Sequence, residues 1–296
     1  MELNQANYEA LWLAYNTVFQ QWFQQTPTQW ESFAMRTEST TSKSVYPWLG
    51  QTTMFRKWIG DRVIQNLTIH GFSIENESFE NTVGVSRDSI DDDEYGVYSP
   101  LFSQLAQDAK RHPDQLVYSL LKDGTTTLCY DGQPFFSADH PVGLQGNEVS
   151  VSNDDGGAGT PWFLIDNTRA IKPMIVQFRK DYQFVALNRP EDWRNFMAKE
   201  LLYGVDARLN VGFGLWQLAH RSAQDLTTAN YAAARASMME VKSDAGAALN
   251  VNPSLLIVPP SLEEQAFEVI KTQRLANGAS NPYYNSATVL VAPYLA

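Results

Sequence analysis

The sequence predicts an α+β fold, and three observations predict it. Apolar residues recur at helical spacing in well-separated stretches, among them residues 4–25, 99–122 and 228–241. Runs of strand-type residues interrupt them at 174–187, 254–258 and 287–292. No segment repeats another, which removes solenoids and propellers. At 296 residues the chain can bury one large core or two modest ones.

The first element is a helix over residues 4–25, opened by Asn4 as N-cap. Leu11, Tyr15, Val18, Phe19 and Trp22 share one face, and no charge occurs from Ala10 to Trp30. Such a face docks either on its own domain or on a neighbouring subunit. Residues 36–44 are polar and read as a linker. Leu67 and Ile69 alternate with polar neighbours within 62–74, and a second extended stretch around Val83 and Val85 completes a long hairpin. Residues 75–94 hold eight acids against Arg87 alone, a net −7. A charge run is ordinarily a solvated loop. Asp91, Asp92, Asp93 and Glu94 lack the alternating ligands and central glycine of a calcium loop. The functional alternative is a loop lying across an adjacent subunit and meeting basic residues there.

Residues 99–122 read as a helix, with Ser99 as cap, Pro100 in the first turn and Leu101, Leu105 and Ala109 on one stripe. Pro113 kinks it or starts a second helix. Residues 125–142 are extended, turning at Asp131-Gly132, and 145–160 are flexible by composition. Residues 191–203 read as a helix with Trp193, Phe196, Met197 and Leu201 on one face. Gly204, Gly212 and Gly214 follow, with Trp216 close behind; glycines so placed imply a sharp turn or close backbone approach. Asp206 and Arg208 read as a buried charge pair. Thr228 caps the helix over 228–241. Pro259-Pro260 ends the strand at 254–258, and Ser261 with Glu264 reads as a capping box opening the last helix.

Composition excludes several functions. A single cysteine, Cys129, forbids an intrachain disulfide and fits a reducing compartment. No leader-type segment and no run of eighteen apolar residues is present, so no membrane partner is expected. The net charge of −11 comes with basic residues only in scattered pairs, so no duplex-binding stripe exists. His140 as a base, with Asp139 or Cys129 as helper, is the one catalytic reading. Adjacent residues on an extended chain point to opposite sides, which makes His140 a structural histidine instead. Neither a His-Glu-x-x-His nor a Gly-x-Ser-x-Gly pattern occurs. No catalytic residue, cofactor or metal ligand is expected.

The stretch from Lys199 to Ser222, carrying Gly204, Asp206, Arg208, Gly212, Gly214 and Trp216, resembles the signature of the major head subunit family of Mu-like tailed phages and prophages. The run Cys129–Val142, the pair Pro161-Trp162-Phe163-Leu164 and Ile171-Lys172-Pro173, and the run Asn252–Glu263 resemble further family motifs in the same order. The resemblance covers most of the chain. It implies the Hong Kong-type tailed-phage capsid fold: an N-terminal arm (1–45), a peripheral domain with a spine helix (46–61 and 99–220), an acidic extended loop (62–98) and a mainly axial segment (221–296) whose last strand is free to return to the peripheral sheet. It implies a major capsid protein that assembles with itself, as hexamers and pentamers, into an icosahedral shell around double-stranded DNA. A tail or portal component, or a small-molecule hydrolase, is the alternative. A separate scaffold, a maturation protease and a portal are implied as partners, with assembly in the bacterial host cytoplasm and residence in the virion. The expected intersubunit contacts are Leu11, Tyr15, Phe19 and Trp22 of the arm and Asp91, Asp92, Asp93 and Glu94 of the loop, with Arg56, Lys57, Lys110 and Arg111 as basic counterparts. Deleting residues 1–30 is then expected to leave a soluble fold that no longer forms shells.

Overall fold

Two four-stranded sheets, tied together by one long helix, organise the chain. The computed structural model describes residues 5–46, 72–92, 94–143, 146–189, 191–275 and 278–296. Arg56, Lys57, Asp93, the Asn4 cap and the strand expected around Leu67 and Ile69 lie outside these residues.

Helix α1 (Gln5–Gln25) is followed by a 3-10 turn at Trp30–Ser32. Strands β1 (Ala34–Glu38) and β2 (Lys43–Val45) occupy the segment expected to be a linker. Its polar side chains alternate outward while the backbone joins a sheet, so composition concealed the strands. Strands β3 (Ser73–Glu75) and β4 (Glu77–Ser86) are not a hairpin. β3 pairs with β2, and β4 pairs over its full length with a distant strand. A short helix α2 (Arg87–Asp91) and a 3-10 turn at Glu94–Tyr98 lead into α3 (Ser99–Lys122). Tyr98, not Ser99, is the N-cap of α3, and the helix runs on through Pro113 without a break.

Strands β5 (His140–Val142) and β6 (Val149–Val151) pair with each other, and β7 (Trp162–Ile165) and β8 (Met174–Leu187) follow. The loop between β6 and β7 is pinned, not flexible: Ala223 N–H donates to Gly156 O at 2.8 Å and Gly159 N–H donates to Ala223 O at 2.9 Å. Helix α4 covers only Trp193–Ala198, ending at Lys199 in the left-handed region. Strand β9 (Glu200–Phe213) takes over the rest of the expected helix. Then come β10 (Ala219–Ser222), α5 (Thr228–Glu240), β11 (Leu255–Val258), α6 (Glu263–Lys271) and β12 (Thr288–Val291). The Thr227 side chain, not Thr228, caps α5 by accepting the Asn230 N–H. Ser261 caps nothing; it lies in the 3-10 turn Pro260–Leu262 that precedes α6.

The first sheet has the order β1-β8-β9-β4, with β1 parallel to β8 and the other pairs antiparallel. The second has the order β10-β7-β11-β12, with only β11 and β12 parallel. β12 therefore belongs to the second sheet and does not return to the first. β7 also lies there, so a division at residue 220 does not follow sheet membership.

Alternation explains how the second sheet holds two cores. Along β7, Phe163 and Ile165 face a core shared with the first sheet and α3, while Trp162 and Leu164 face α5 and α6. β11 does the same with Leu255 and Ile257 against Leu256 and Val258. Strands buried on both faces read as continuous apolar runs, as these do. A third cluster lies under α1, where Tyr8, Leu11, Tyr15 and Phe19 meet Phe102 and Leu105 of α3 and Phe184 and Tyr203 of the sheet.

The start of the chain is tied to its end. Asp114 of α3 accepts the N–H groups of Gln29 (2.9 Å) and Trp30 (2.7 Å). The Gln29 amide accepts from the Tyr118 hydroxyl at 2.8 Å and donates to Val291 O of β12 at 3.2 Å.

Candidate functional site

The arm residues are placed against expectation. Leu11 (4%), Tyr15 (2%) and Phe19 (0%) are buried within their own chain. Tyr15 stacks on Phe102 at 4.1 Å between centroids and meets Tyr203 edge-on at 5.2 Å, and Phe19 stacks on Phe184 at 5.2 Å. A face satisfied internally is not available to a neighbour, so these three are core residues and not intersubunit contacts. Trp22, on the rim of the same face, stays exposed.

The charged candidates are scattered. Asp91 ends α2, Asp92 follows it and is exposed, and Glu94 opens the next 3-10 turn. Lys110 is half-buried, its Nζ lying 5.4 Å from the Phe23 ring centre and 3.9 Å from Glu31. Arg111 is exposed. Among the described residues, Asp92 forms no ion pair with either.

Within the glycine-rich signature Gly204 and Gly212 lie inside strand β9, and Gly214 and Trp216 lie just beyond its end. A Cβ on Gly214 would lie 2.4 Å from Lys172 O, and one on Gly212 would lie 2.4 Å from Ile74 Cδ1. Close approach is thus the reason for glycine at both. Asp206 and Arg208 do not pair with each other. Asp206 takes Lys180 of β8, across the bulged part of the β8–β9 ladder, and both groups are partly exposed. Arg208 Nε is buried without a partner among the described residues.

Sequence reasoning missed the most exposed apolar cluster among the described residues. At the tip of the β8–β9 hairpin, helix α4 exposes Trp193 (63%), Phe196 (82%) and Met197 (73%). The tip is braced. Asp192 accepts the Arg189 N–H at 2.6 Å, Asn195 donates to Arg189 O at 3.2 Å, and Arg194 pairs with Glu200 at 2.8 Å. Lys199 anchors it to α2 through Asp88 at 3.3 Å and through the Arg87 N–H at 2.8 Å. The available signal was three large apolar side chains in a segment dense with Arg, Asp and Glu.

A groove of about 680 Å³ opens elsewhere, between α3 and the edge strand β1. Its walls include Phe23, Trp30, Met35, Pro113, Phe178 and Tyr182, and its rim carries Arg36, Lys110 and Lys172 besides Glu31 and Asp181.

One polar cluster has the residue types of a reactive centre. The Cys129 thiol donates to Asp131 Oδ1 at 2.9 Å, and His140 Nδ1 lies 2.7 Å from Asp131 Oδ2. His140 Nε2 lies 3.1 Å from Asn153 Oδ1, which is oriented by its own amide donating to Phe135 O and Ala219 O. The His140 ring lies flat on Trp216, 4.0 Å between centroids. Burial pushes the thiol well above its ordinary value and so keeps it a donor. Burial also pushes the Asp131 carboxyl up, but the bonds from His140, Cys129 and the Gln133 N–H outweigh it and leave the carboxyl below its ordinary value. The three ligand-type atoms lie within 4.8 Å of one another. Their separations are those of hydrogen bonds, and each is used as one. Asp139, the expected helper, is exposed and bonds Ser150. The cluster locks the Asp131-Gly132 turn onto β5.

Comparison with known proteins agrees with a structural role. The family model described as "Mu-like prophage major head subunit gpT" matches residues 8–295. The major capsid protein of Escherichia phage Mu is 36% identical over 305 aligned residues, covering 100% of both chains. The Mu-like prophage FluMu major head subunit of Haemophilus influenzae is 38% identical, covering 90% of this chain and 89% of its own. Among solved structures, the bacteriophage JBD30 procapsid subunit superposes with a TM-score of 0.90 at 41% identity, over 99% of this chain and 100% of that one. The JBD30 capsid subunit gives 0.80 at 32% identity over 92% of each.

Fold and sequence together define a tailed-phage coat subunit of the Hong Kong type, a shell-building protein of the virion and not an enzyme. The arrangement of a long helix across a four-stranded sheet, with a second sheet beside it, is that subunit's architecture. The chain belongs to the Mu-like prophage major head subunit family. Tail, portal and hydrolase readings fall with that assignment.

Proposed function

We propose that copies of this chain close as hexamers and pentamers into an icosahedral shell around packaged double-stranded DNA. Assembly takes place in the bacterial host cytoplasm, with a separate scaffold, a maturation protease and a portal as partners. The full-length match to a procapsid subunit is the observation that carries this reading. In it the first sheet with α3 forms the peripheral domain and the second sheet with α5 and α6 the axial domain. The net charge of −11 suits a container, since an acidic lining repels the duplex and leaves it free to enter and leave. The acids Asp91, Asp92, Asp93 and Glu94 lie across a neighbouring copy near basic residues such as Arg56, Lys57 and Arg111. Many modest contacts of this kind become collectively stable once a shell closes.

Sedimentation and negative-stain electron microscopy of the purified chain test the proposal, with and without co-expressed partners. Rings or closed particles with five- and six-fold capsomers are expected. A chain that stays a lone globule at every concentration and ionic strength, with partners present, overturns it.

A further inference from the structure

Trp193 (63%) and Phe196 (82%) are the most exposed aromatics among the described residues, well above Phe267 and Tyr284 (41% each) and Trp22 (38%), and Met197 (73%) stands beside them. Soluble chains seldom leave such a cluster bare unless something covers it. The tip that carries it is held by hydrogen bonds and ion pairs at both its ends, so it is presented rigidly.

Among the described residues, none of the same chain covers it. The groove beside β1 has the complementary character, but Phe178 on its floor lies nine residues along β8 from Leu187. That is about 30 Å at the rise of an extended strand, with the tip further still. Within the groove, cations already lie over rings: the Arg36 guanidinium carbon is 4.1 Å from the Phe178 centroid, and Lys110 sits over Phe23. An incoming indole or phenyl ring extends that stacking. On the rim Arg36 pairs with Asp181 at 2.6 Å and Lys110 lies 3.9 Å from Glu31, which leaves Lys172 as the surplus cation, and the tip brings the exposed acid Glu191 beside Trp193. Burial also holds the Lys172 amine below its ordinary value, so an arriving carboxylate is favoured there.

Resting on the shell reading, we infer that the hairpin tip of one copy seats Trp193 and Phe196 in the β1–α3 groove of a neighbouring copy. The contact joins two different patches, one at each end of the first sheet. Such head-to-tail contacts generate rings and curved lattices. A rigid aromatic anchor filling a desolvated pocket with a charged rim is the arrangement found at the energetic centre of many interfaces.

Cysteine cross-linking in assembled particles tests the seating. Met197→Cys is combined with Met35→Cys, leaving both anchors and the buried Cys129 in place. After mild oxidation the double variant is expected to run as a ladder of covalent multimers on a non-reducing gel, and each single variant as monomer. Multimers from Met197→Cys alone mean tip-on-tip contact and overturn the seating. Monomer from the double variant in intact particles overturns it as well. As a second arm, Trp193→Ala with Phe196→Ala changes only exposed side chains. Its unfolding midpoint is expected to stay within error of the wild type while particle yield falls at least tenfold. Wild-type yield from that variant refutes the seating and leaves the shell standing. A wild-type chain that never assembles removes the shell itself.

Discussion

Asp131 shows how much one side chain does here. It accepts from a thiol, an imidazole and a backbone N–H, and it is almost fully enclosed. Replacing it with Asn offers an amide donor to groups that are themselves donors. The expected cost is about 1–3 kcal/mol, the range for leaving a buried hydrogen-bonding group unsatisfied. Urea unfolding of the unassembled subunit at neutral pH measures it. The acid limb gives a second readout. A carboxyl whose folded pKa lies below the unfolded value of about 3.9 adds stability above that value and loses it as pH falls through the folded one. Wild type is expected to lose that increment below about pH 4, whereas Asp131→Asn shows no such step. The Asp131-Gly132 turn was legible because Asp-Gly is a turn dipeptide. Its partner was not, since His140 returns only when β5 folds back. The Asp206 partner was hidden in the same way, because Lys180 faces it through a bulged register that no local pattern encodes.

At the level of elements, α3 is the instructive case. An interior proline lacks an N–H and crowds the preceding turn, at a cost of about 3 kcal/mol. The helix stays continuous because both halves are held by packing, the first by α1 and the second by Tyr118, Val117 and Leu121 in the main core. Pro113→Ala should therefore stabilise the subunit. Losing two ring carbons from a buried site offsets about 1.6 kcal/mol of the gain, at about 0.8 kcal/mol each. A net rise of about 1 kcal/mol in unfolding free energy is expected, read as a higher urea midpoint at unchanged slope. The elements with one clear period were legible: β8 and α5 sit where their patterns placed them. Residues 193–209 carried two periods that meet at Leu201. Trp193, Phe196, Met197 and Leu201 fit a helix, while Leu201, Tyr203, Val205, Ala207 and Leu209 alternate as a strand. Pairing with β4 and β8 on both edges decided for the strand.

For the molecule as a whole, α1 is part of the subunit and not a detachable arm. Its four buried side chains contribute about 1.5–3 kcal/mol each, a sum comparable to the total stability of a typical domain. Removing residues 1–26 is thus expected to abolish the soluble fold, against the first expectation that only assembly would suffer. Soluble yield and thermal melting of that truncation check this. A cooperative melt near the wild-type midpoint would contradict it. Fold class and family were legible because motif order spans the chain. The assembly surface was not, because periodicity shows which face is apolar but not what covers it: Leu11, Tyr15 and Phe19 went inward, and Trp193 and Phe196 went out. The Gln29–Val291 bond spans 262 residues, so it forms only when nearly all of the chain has left the ribosome. A copy stalled before Thr288 lacks the strand that closes the edge of β11 and leaves Gln29 half-bonded, so its first and last elements stay untied.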